Sequence, residues 1–79
     1  MKNKEIADLF TRMGTLLEIQ GENVFKVNAY YKAAENIEGL AEDIETLKNE
    51  GRISEIPGIG QALKEKIEEY LATGKVSAY

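Results

Sequence analysis

The sequence predicts an all-α fold, a compact four-helix domain, from three observations. Apolar residues recur at spacings of three and four, the pattern of amphipathic helices. No stretch shows the strict apolar–polar alternation of a strand. Glycines at positions 21, 39 and 51 separate the helical stretches, and Gly74 follows the last one. The 79 residues therefore make one small domain with a thin core.

The first predicted helix covers about residues 4–19, with Asn3 as its N-cap and Gly21 as its stop. Gly14 lies in mid-helix, where it costs about 1 kcal/mol relative to alanine. It marks either a close helix contact or nothing. The apolar stripe consists of Ile6, Leu9, Phe10, Met13, Leu16 and Leu17.

Three further helices are predicted, at about residues 24–37, 42–50 and 60–73. Ile44 and Leu47 face inward on the third. The last helix ends at Gly74. The inner face of the second helix is predicted to consist of Val24, Val27, Tyr31, Ala34 and Ile37.

Composition excludes several classes of function. The absence of cysteine and histidine rules out disulfides, thiolate metal sites and histidine-based catalysis. No apolar run is long enough to span a bilayer, and residues 1–5 lack the apolar stretch of a secretory signal, so we expect a cytoplasmic protein without membrane contact. The net charge of −4 argues against strong, indiscriminate binding to nucleic acid. Any phosphate contact must therefore come from a local arrangement.

The segment Ile-Pro-Gly-Ile-Gly at residues 56–60 is such an arrangement. Pro57 ends the preceding turn, while Gly58 and Gly60 permit positive φ and leave no Cβ to hold a ligand away. The helix that follows directs its unpaired amides and positive dipole end at this turn, which suits an anion such as a phosphate. The alternative is a plain connection between packed helices, with Ile56 and Ile59 in the core.

Lys66 is the unexpected residue of the last helix, because it falls inside the apolar stripe. Ala62 lies one turn before it and leaves room, and Tyr70 lies one turn after it and forms a wall. A partly desolvated lysine has a lowered pKa and can act as a nucleophile that forms a Schiff base. The alternative is a lysine that extends over the helix edge to solvent.

Lys26 and Tyr30 are four residues apart on the second helix and can present an ammonium and a phenol to one phosphate. The alternative is a surface lysine against a half-buried tyrosine. Tyr31 points elsewhere and is predicted to lie in the core.

Three segments carry a resemblance to the N-terminal domain of bacterial and archaeal family X DNA polymerases. They are KVNAYYKAA (26–34), IPGIG (56–60) and KEKIEEYLATG (64–74). The glycine turn followed by Leu63, Ile67 and Leu71 resembles a helix-hairpin-helix motif. The resemblance implies a SAM-like, polymerase beta-type helical domain over residues 1–79, expected to be the N-terminal part of a larger polymerase and monomeric.

The resemblance also implies a function and its residues. Such domains bind DNA without sequence specificity and hold the 5′-phosphate side of a gap during base excision repair. Lys66 matches the Schiff-base lysine of a 5′-deoxyribose-phosphate lyase. Hairpin carbonyls can hold K⁺ or Na⁺, at positions that correspond to Ser54, Ile56 and Ile59. The implied phosphate contacts are Lys26, Tyr30, Gly58, Ile59, Gly60, Gln61 and Ala62.

Departures from the family pattern reduce what we expect of the chain. Phe25 replaces a histidine of the beta-type phosphate pocket, Ala62 replaces a further lysine, and Ala78 replaces a basic residue beyond the last helix. We therefore expect weak DNA binding by this chain alone, and slow or absent lyase chemistry. The divalent metals of nucleotidyl transfer belong to a polymerase core that these residues do not include.

Three hypotheses of function follow. The first is a DNA-binding module that positions gapped or 5′-phosphorylated DNA for an attached repair polymerase. The second is an active lyase that acts through Lys66 and needs no cofactor. The third is a helical protein-interaction module, which the acidic charge would suit. Binding of a 5′-phosphorylated oligonucleotide, and borohydride trapping of an imine, distinguish the three.

Overall fold

The computed structural model describes residues 1–76, so Ala78 lies outside the described part. Four α-helices follow one another: α1 (Asn3–Ile19), α2 (Val24–Glu38), α3 (Ile44–Asn49) and α4 (Gln61–Thr73). A 3₁₀ turn (Ile53–Glu55) precedes the segment that leads into α4. Residues 1–76 contain no strand, which confirms the predicted all-α, four-helix fold. No helix in this range is long and apolar enough to cross a membrane.

One hydrophobic core joins all of the helices, and α1 packs along α2. The Phe10 ring meets the Tyr30 ring edge-on, with centroids 5.6 Å apart. Gly14 allows the close approach of α2, because a Cβ at that position would lie 2.7 Å from Tyr31 Cε1. Of the two alternatives for Gly14, the close contact is confirmed. The largest fully buried side chains are Phe10, Ile6, Ile37, Ile44, Ile53 and Ile67.

The sequence predicted Asn3 as the N-cap of α1, but Asn3 is the first residue of the helix. Its side chain is buried and joins the start of α1 to the start of α3: Nδ2 donates to Glu42 O at 2.7 Å, and Oδ1 accepts from Ile44 N at 2.9 Å. The helix α3 accordingly begins two residues later than predicted, with Asp43 as its N-cap. Local sequence could not show this role, because the partners are 39 and 41 residues away.

The inner face of α2 was predicted partly wrongly. Tyr30 belongs to the core at 6% exposure, whereas Tyr31 is half-buried and its hydroxyl donates to Glu18 Oε1 at 2.9 Å. Val24, in the first turn, is 60% exposed. The start of α2 extends beyond the core, so Val24 and Phe25 are exposed while Val27 is buried.

Candidate functional site

The segment between the 3₁₀ turn and α4 forms a tight hairpin. Ile59 N donates to Ile56 O at 3.2 Å, which closes a β-turn with Pro57 and Gly58 at its centre. Gly58 has φ +80°, a conformation that strongly favours glycine. Ile56 and Ile59 are buried, so both ends of the turn are fixed in the core while Pro57 and Gly58 stay exposed.

The helix α2 holds this hairpin in place through a residue that sequence reasoning missed. Asn36 Nδ2 donates to Pro57 O at 2.7 Å. A Cβ at Gly58 would lie 3.3 Å from Asn36 Nδ2 and 3.9 Å from Lys32 Cγ, so the turn lies directly against α2. The spacing of Asn36 gave no signal, since a polar residue beside an apolar stripe is typical of any surface helix.

The N-terminus of α4 lies open beside the hairpin. Gly60 is its N-cap, with φ −88° and ψ −176°, and no side chain caps the helix. The first amide bonded within the helix is that of Lys64, which donates to Gly60 O at 2.9 Å. The amides of Gly60, Gln61 and Ala62 have no acceptor within residues 1–76.

Of the two glycines that permit a positive φ, Gly58 adopts one and Gly60 does not. Gly60 matters instead for its lack of a side chain: no atom lies within 4 Å of the position that a Cβ would take. The start of α4 is therefore uncovered at Gly60, which leaves room for an anion beside the unpaired amides of the first turn.

A pocket of about 290 Å³ lies beside this helix end, between the last turns of α1 and the first turns of α2 and α4. It brings together four residues that the sequence analysis had named on two different helices. These are Lys26 and Tyr30 on α2, and Ala62 and Lys66 on α4. Its apolar wall comes from α1. The lining residues are Met13, Leu16, Leu17, Gln20, Lys26, Tyr30, Ala62 and Lys66.

One detail of this pocket differs from the sequence prediction. Tyr70 does not form a wall beside Lys66, since it is not among the lining residues and its hydroxyl donates to Glu5 on α1. Phe25, which stands where the resemblance implies a histidine, is 81% exposed and lies outside the lining. The periodicity of α4 put Lys66 inside the apolar stripe, and the side chain is half-buried and lines the pocket, but periodicity could not show that α1 supplies the wall.

Tyr30 bridges the pocket and the core. Burial raises the pKa of its phenol above 10.0, because the phenolate would lose solvation. The hydroxyl is therefore neutral at physiological pH and available as a hydrogen-bond donor to an anion in the pocket.

Charges are distributed unevenly around the fold. Arg52 binds three carboxylates, at 3.1 Å to Glu42, 2.7 Å to Glu50 and 3.1 Å to Glu55. Hydrogen bonds to these groups, first of all to Glu50, raise the pKa of the Arg52 guanidinium. By contrast, within the described chain no carboxylate pairs with the lysines of α2 and the first half of α4: Lys26, Lys32, Lys64 and Lys66.

The hairpin carbonyls offer oxygen ligands of the kind that alkali cations prefer. Ile56 O accepts one amide hydrogen bond, from Ile59, while the carbonyls of Ser54 and Ile59 accept no backbone amide from residues 1–76. No group of acidic side chains in the same range is arranged to hold a metal ion. A cation here would therefore be bound by backbone oxygens, a donor set that fits K⁺ or Na⁺.

Comparison with known proteins agrees with this geometry. The helix-hairpin-helix domain family matches residues 1–76. The chain is 34% identical over 77 residues to DNA polymerase/3′-5′ exonuclease PolX of Bacillus subtilis (strain 168), and 32% identical over 75 residues to DNA polymerase lambda of Arabidopsis thaliana. These alignments cover 98% and 95% of the chain but 13% of each relative. The chain belongs to the helix-hairpin-helix domain family, in the form present in family X DNA polymerases.

Proposed function

We propose that this domain binds DNA without sequence specificity and holds the 5′-phosphate side of a gap for a base-excision-repair polymerase. The observation that carries the proposal is the open N-terminus of α4, whose free amides lie beside a pocket lined by Lys26 and Lys66. Free amides and the positive end of a helix dipole favour a phosphate, and lysines add the opposite charge.

The chemistry of the site supports non-specific binding. Amides and lysines contact phosphate oxygens, which are the same at every nucleotide and carry no sequence information. The pocket is lined on one side by apolar side chains, which cannot read the donor and acceptor pattern of base edges. A terminal 5′-phosphate can enter this pocket, where Tyr30 and the two lysines surround it.

The acidic net charge limits affinity, and the distribution of charge makes binding feasible. Three of the 14 acidic side chains are bound to Arg52 rather than directed at the pocket. We expect binding that is weak at physiological salt and clear at low salt, because few phosphates are contacted. K⁺ or Na⁺ held by the carbonyls of Ser54, Ile56 and Ile59 would supply a further positive charge next to the bound phosphate.

The test is fluorescence anisotropy at low salt with a gapped duplex that carries a 5′-phosphate or a 5′-hydroxyl at the gap. We expect the phosphorylated duplex to bind more tightly, and Lys26→Gln and Lys66→Gln to remove most of that difference. Lys75→Gln removes the same charge beyond the far end of α4 and serves as the matched control. Equal binding of both duplexes by the wild type would contradict the proposal.

A second candidate function is favoured by the position of Lys66 in the pocket. As a 5′-deoxyribose-phosphate lyase, its amine would attack the C1′ aldehyde of the sugar and form an imine, with release of water. Loss of a proton from C2′ then expels the 3′-phosphate by β-elimination, and hydrolysis of the imine restores the lysine. The side chain of Lys66 is half-buried and lines the pocket between α1, α2 and α4, which supports this chemistry.

Borohydride trapping tests the lyase independently of binding. Reduction of the imine should link the wild-type domain covalently to abasic DNA, and Lys66→Arg should abolish the link because guanidinium stays protonated. Lys64→Arg is the control, since Lys64 lies on the same helix and does not line the pocket. No trapping by the wild type, where an established lyase traps, would exclude this activity.

The parent protein is expected to supply what these residues do not. Nucleotidyl transfer would require further polymerase domains with divalent metals, and a repair role agrees with the cytoplasmic setting expected from the sequence. We expect the domain to bind DNA as a monomer. If neither duplex binds, the helical protein-interaction module becomes the better hypothesis.

A further inference from the structure

Lys32 is an exposed residue of α2 whose side chain lies along the hairpin. Its Cγ is 3.9 Å from the position that a Cβ on Gly58 would take. Asn36, one turn further along α2, fixes the turn by donating to Pro57 O at 2.7 Å. The Lys32 side chain therefore passes beside the exposed part of the hairpin, within one side-chain length of any ligand bound there.

The Lys32 ammonium is uncompensated within residues 1–76, where no carboxylate lies within ion-pair distance. Only Lys4, with Asp8 and Glu38, and Arg52, with three glutamates, form ion pairs within residues 1–76, so what distinguishes Lys32 from the other unpaired cations is its contact with the hairpin. Lys32 also lies outside the pocket that contains Lys26 and Lys66. Unpaired lysine side chains therefore lie both in the pocket and beside the hairpin outside it.

From this placement, and resting on the proposed function, we propose that Lys32 contacts a second, internal phosphate of the bound strand. The terminal phosphate occupies the pocket, and the strand continues from there over the exposed face of Gly58 to the Lys32 ammonium. Successive phosphates of one strand follow each other at about 3.4 Å along the axis of a duplex, so internal phosphates lie close behind the terminal one. Lys32 is then a positioning residue that sets the direction of the strand.

The proposal makes a prediction that separates Lys32 from the pocket lysines. A contact to an internal phosphate is the same whether or not the 5′ end is phosphorylated. Lys32→Gln should therefore weaken binding to the 5′-phosphate and 5′-hydroxyl gapped duplexes by equal factors. Removal of one phosphate contact should lower the slope of log affinity against log salt by about 0.9 on both.

The matched control is Lys75→Gln. The 13 residues of α4 separate Lys75 from the hairpin by about 20 Å, at 1.5 Å per residue, so the same net charge is removed at a distance. Both lysines are exposed, and thermal unfolding should show both variants to be as stable as the wild type. Affinities are measured by anisotropy at several salt concentrations.

Each outcome decides. An equal loss on both duplexes that exceeds the loss in Lys75→Gln supports the internal contact. A loss confined to the 5′-phosphate duplex would place Lys32 at the terminal phosphate and overturn it, and so would a slope equal to that of Lys75→Gln. If the wild type binds neither duplex, the proposed function fails along with this inference. Binding by the wild type with an unaffected Lys32→Gln variant rejects the inference alone.

Discussion

The N-termini of α3 and α4 have opposite chemistry, although both follow short connections in the same half of the chain. At α3, Asp43 Oδ1 accepts from Glu45 N at 2.9 Å and Asn3 Oδ1 accepts from Ile44 N at 2.9 Å. At α4, the N-cap is Gly60 and no side chain accepts from the first amides. At the N-terminus of α3, side chains of the domain accept from the first amides and stabilise the fold. At the N-terminus of α4, the first amides remain free to donate to a ligand.

Charge follows the same division. Carboxylates gather near α3, where Arg52 binds Glu42, Glu50 and Glu55. Unpaired lysines lie near α4 and the hairpin. Five of the 14 acidic side chains fall in residues 42–55, and no acidic side chain lines the pocket, so a domain with a net charge of −4 still exposes lysines there without adjacent carboxylates in the lining.

The largest expected effect is a loss of stability at the N-terminus of α3, where Asn3 bonds to the backbone. Asn3→Ala leaves Glu42 O and Ile44 N without their partner, and burial of unsatisfied groups should lower the free energy of unfolding by about 2–3 kcal/mol. Urea denaturation measures the loss. Asn3→Asp, which keeps an acceptor for Ile44 N, should fall between alanine and the wild type. A loss below about 0.5 kcal/mol would show that the joint between α1 and α3 does not stabilise the fold.

The next effect is at the hairpin. Gly58→Ala imposes a Cβ at φ +80°, 3.3 Å from Asn36 Nδ2, and should cost about 1–2 kcal/mol. Gly21→Ala is the control for backbone strain, since Gly21 has φ +76° with no atom near its Cβ position. We expect DNA affinity to fall for Gly58→Ala alone. Equal losses of stability and affinity in both variants would mean that the contact with α2 does not position the hairpin.

A smaller change in stability tests the open end of α4 directly. Gly60→Ser supplies the missing N-cap acceptor in open space and should stabilise the helix by a few tenths of a kcal/mol. The same hydroxyl would compete with a phosphate for the amides, so affinity for the gapped duplex should fall. Gly60→Ala adds a Cβ without an acceptor and is the control. Undiminished affinity in Gly60→Ser would separate DNA binding from these amides.

The smallest effect depends on pH. Burial raises the pKa of Tyr30 above 10.0 in the folded state, so the neutral phenol contributes its full stability below pH 10. That contribution is lost as pH rises from about 10 through the raised folded pKa, because the unfolded chain ionises first. Tyr30→Phe should flatten the decline of the melting temperature above pH 10. The pairing of Asn3 with Ile44 at α3 involves no titratable group and does not contribute to this decline. If the melting temperature of Tyr30→Phe declines as steeply as that of the wild type, burial of the Tyr30 phenol beside the pocket is not its cause.

The features of the α4 end could largely be predicted from the sequence, because they depend on residues close to one another in the chain. The glycine turn, the start of α4 and the inward position of Lys66 follow from spacing and from proline and glycine geometry. Asn3, Asn36 and Lys32 could not be assigned in this way. Each acts on a segment at least 21 residues away, and their roles depend on how the helices pack. Tyr30 and Tyr31 were exchanged because both fit the apolar stripe, at spacings of three and four residues from Val27 and from Ala34.

The most direct test of the central claim is an NMR titration of the backbone amides at low salt with the gapped duplex, with and without its 5′-phosphate. We expect the largest shifts at Gly58, Gly60, Gln61 and Ala62, together with Lys26 and Tyr30, and larger shifts with the phosphate. The amides of Ile44 and Glu45, already bonded to Asn3 and Asp43, should stay unchanged. Shifts that spare the start of α4, or that do not depend on the phosphate, would contradict the claim that its open amides hold the DNA end.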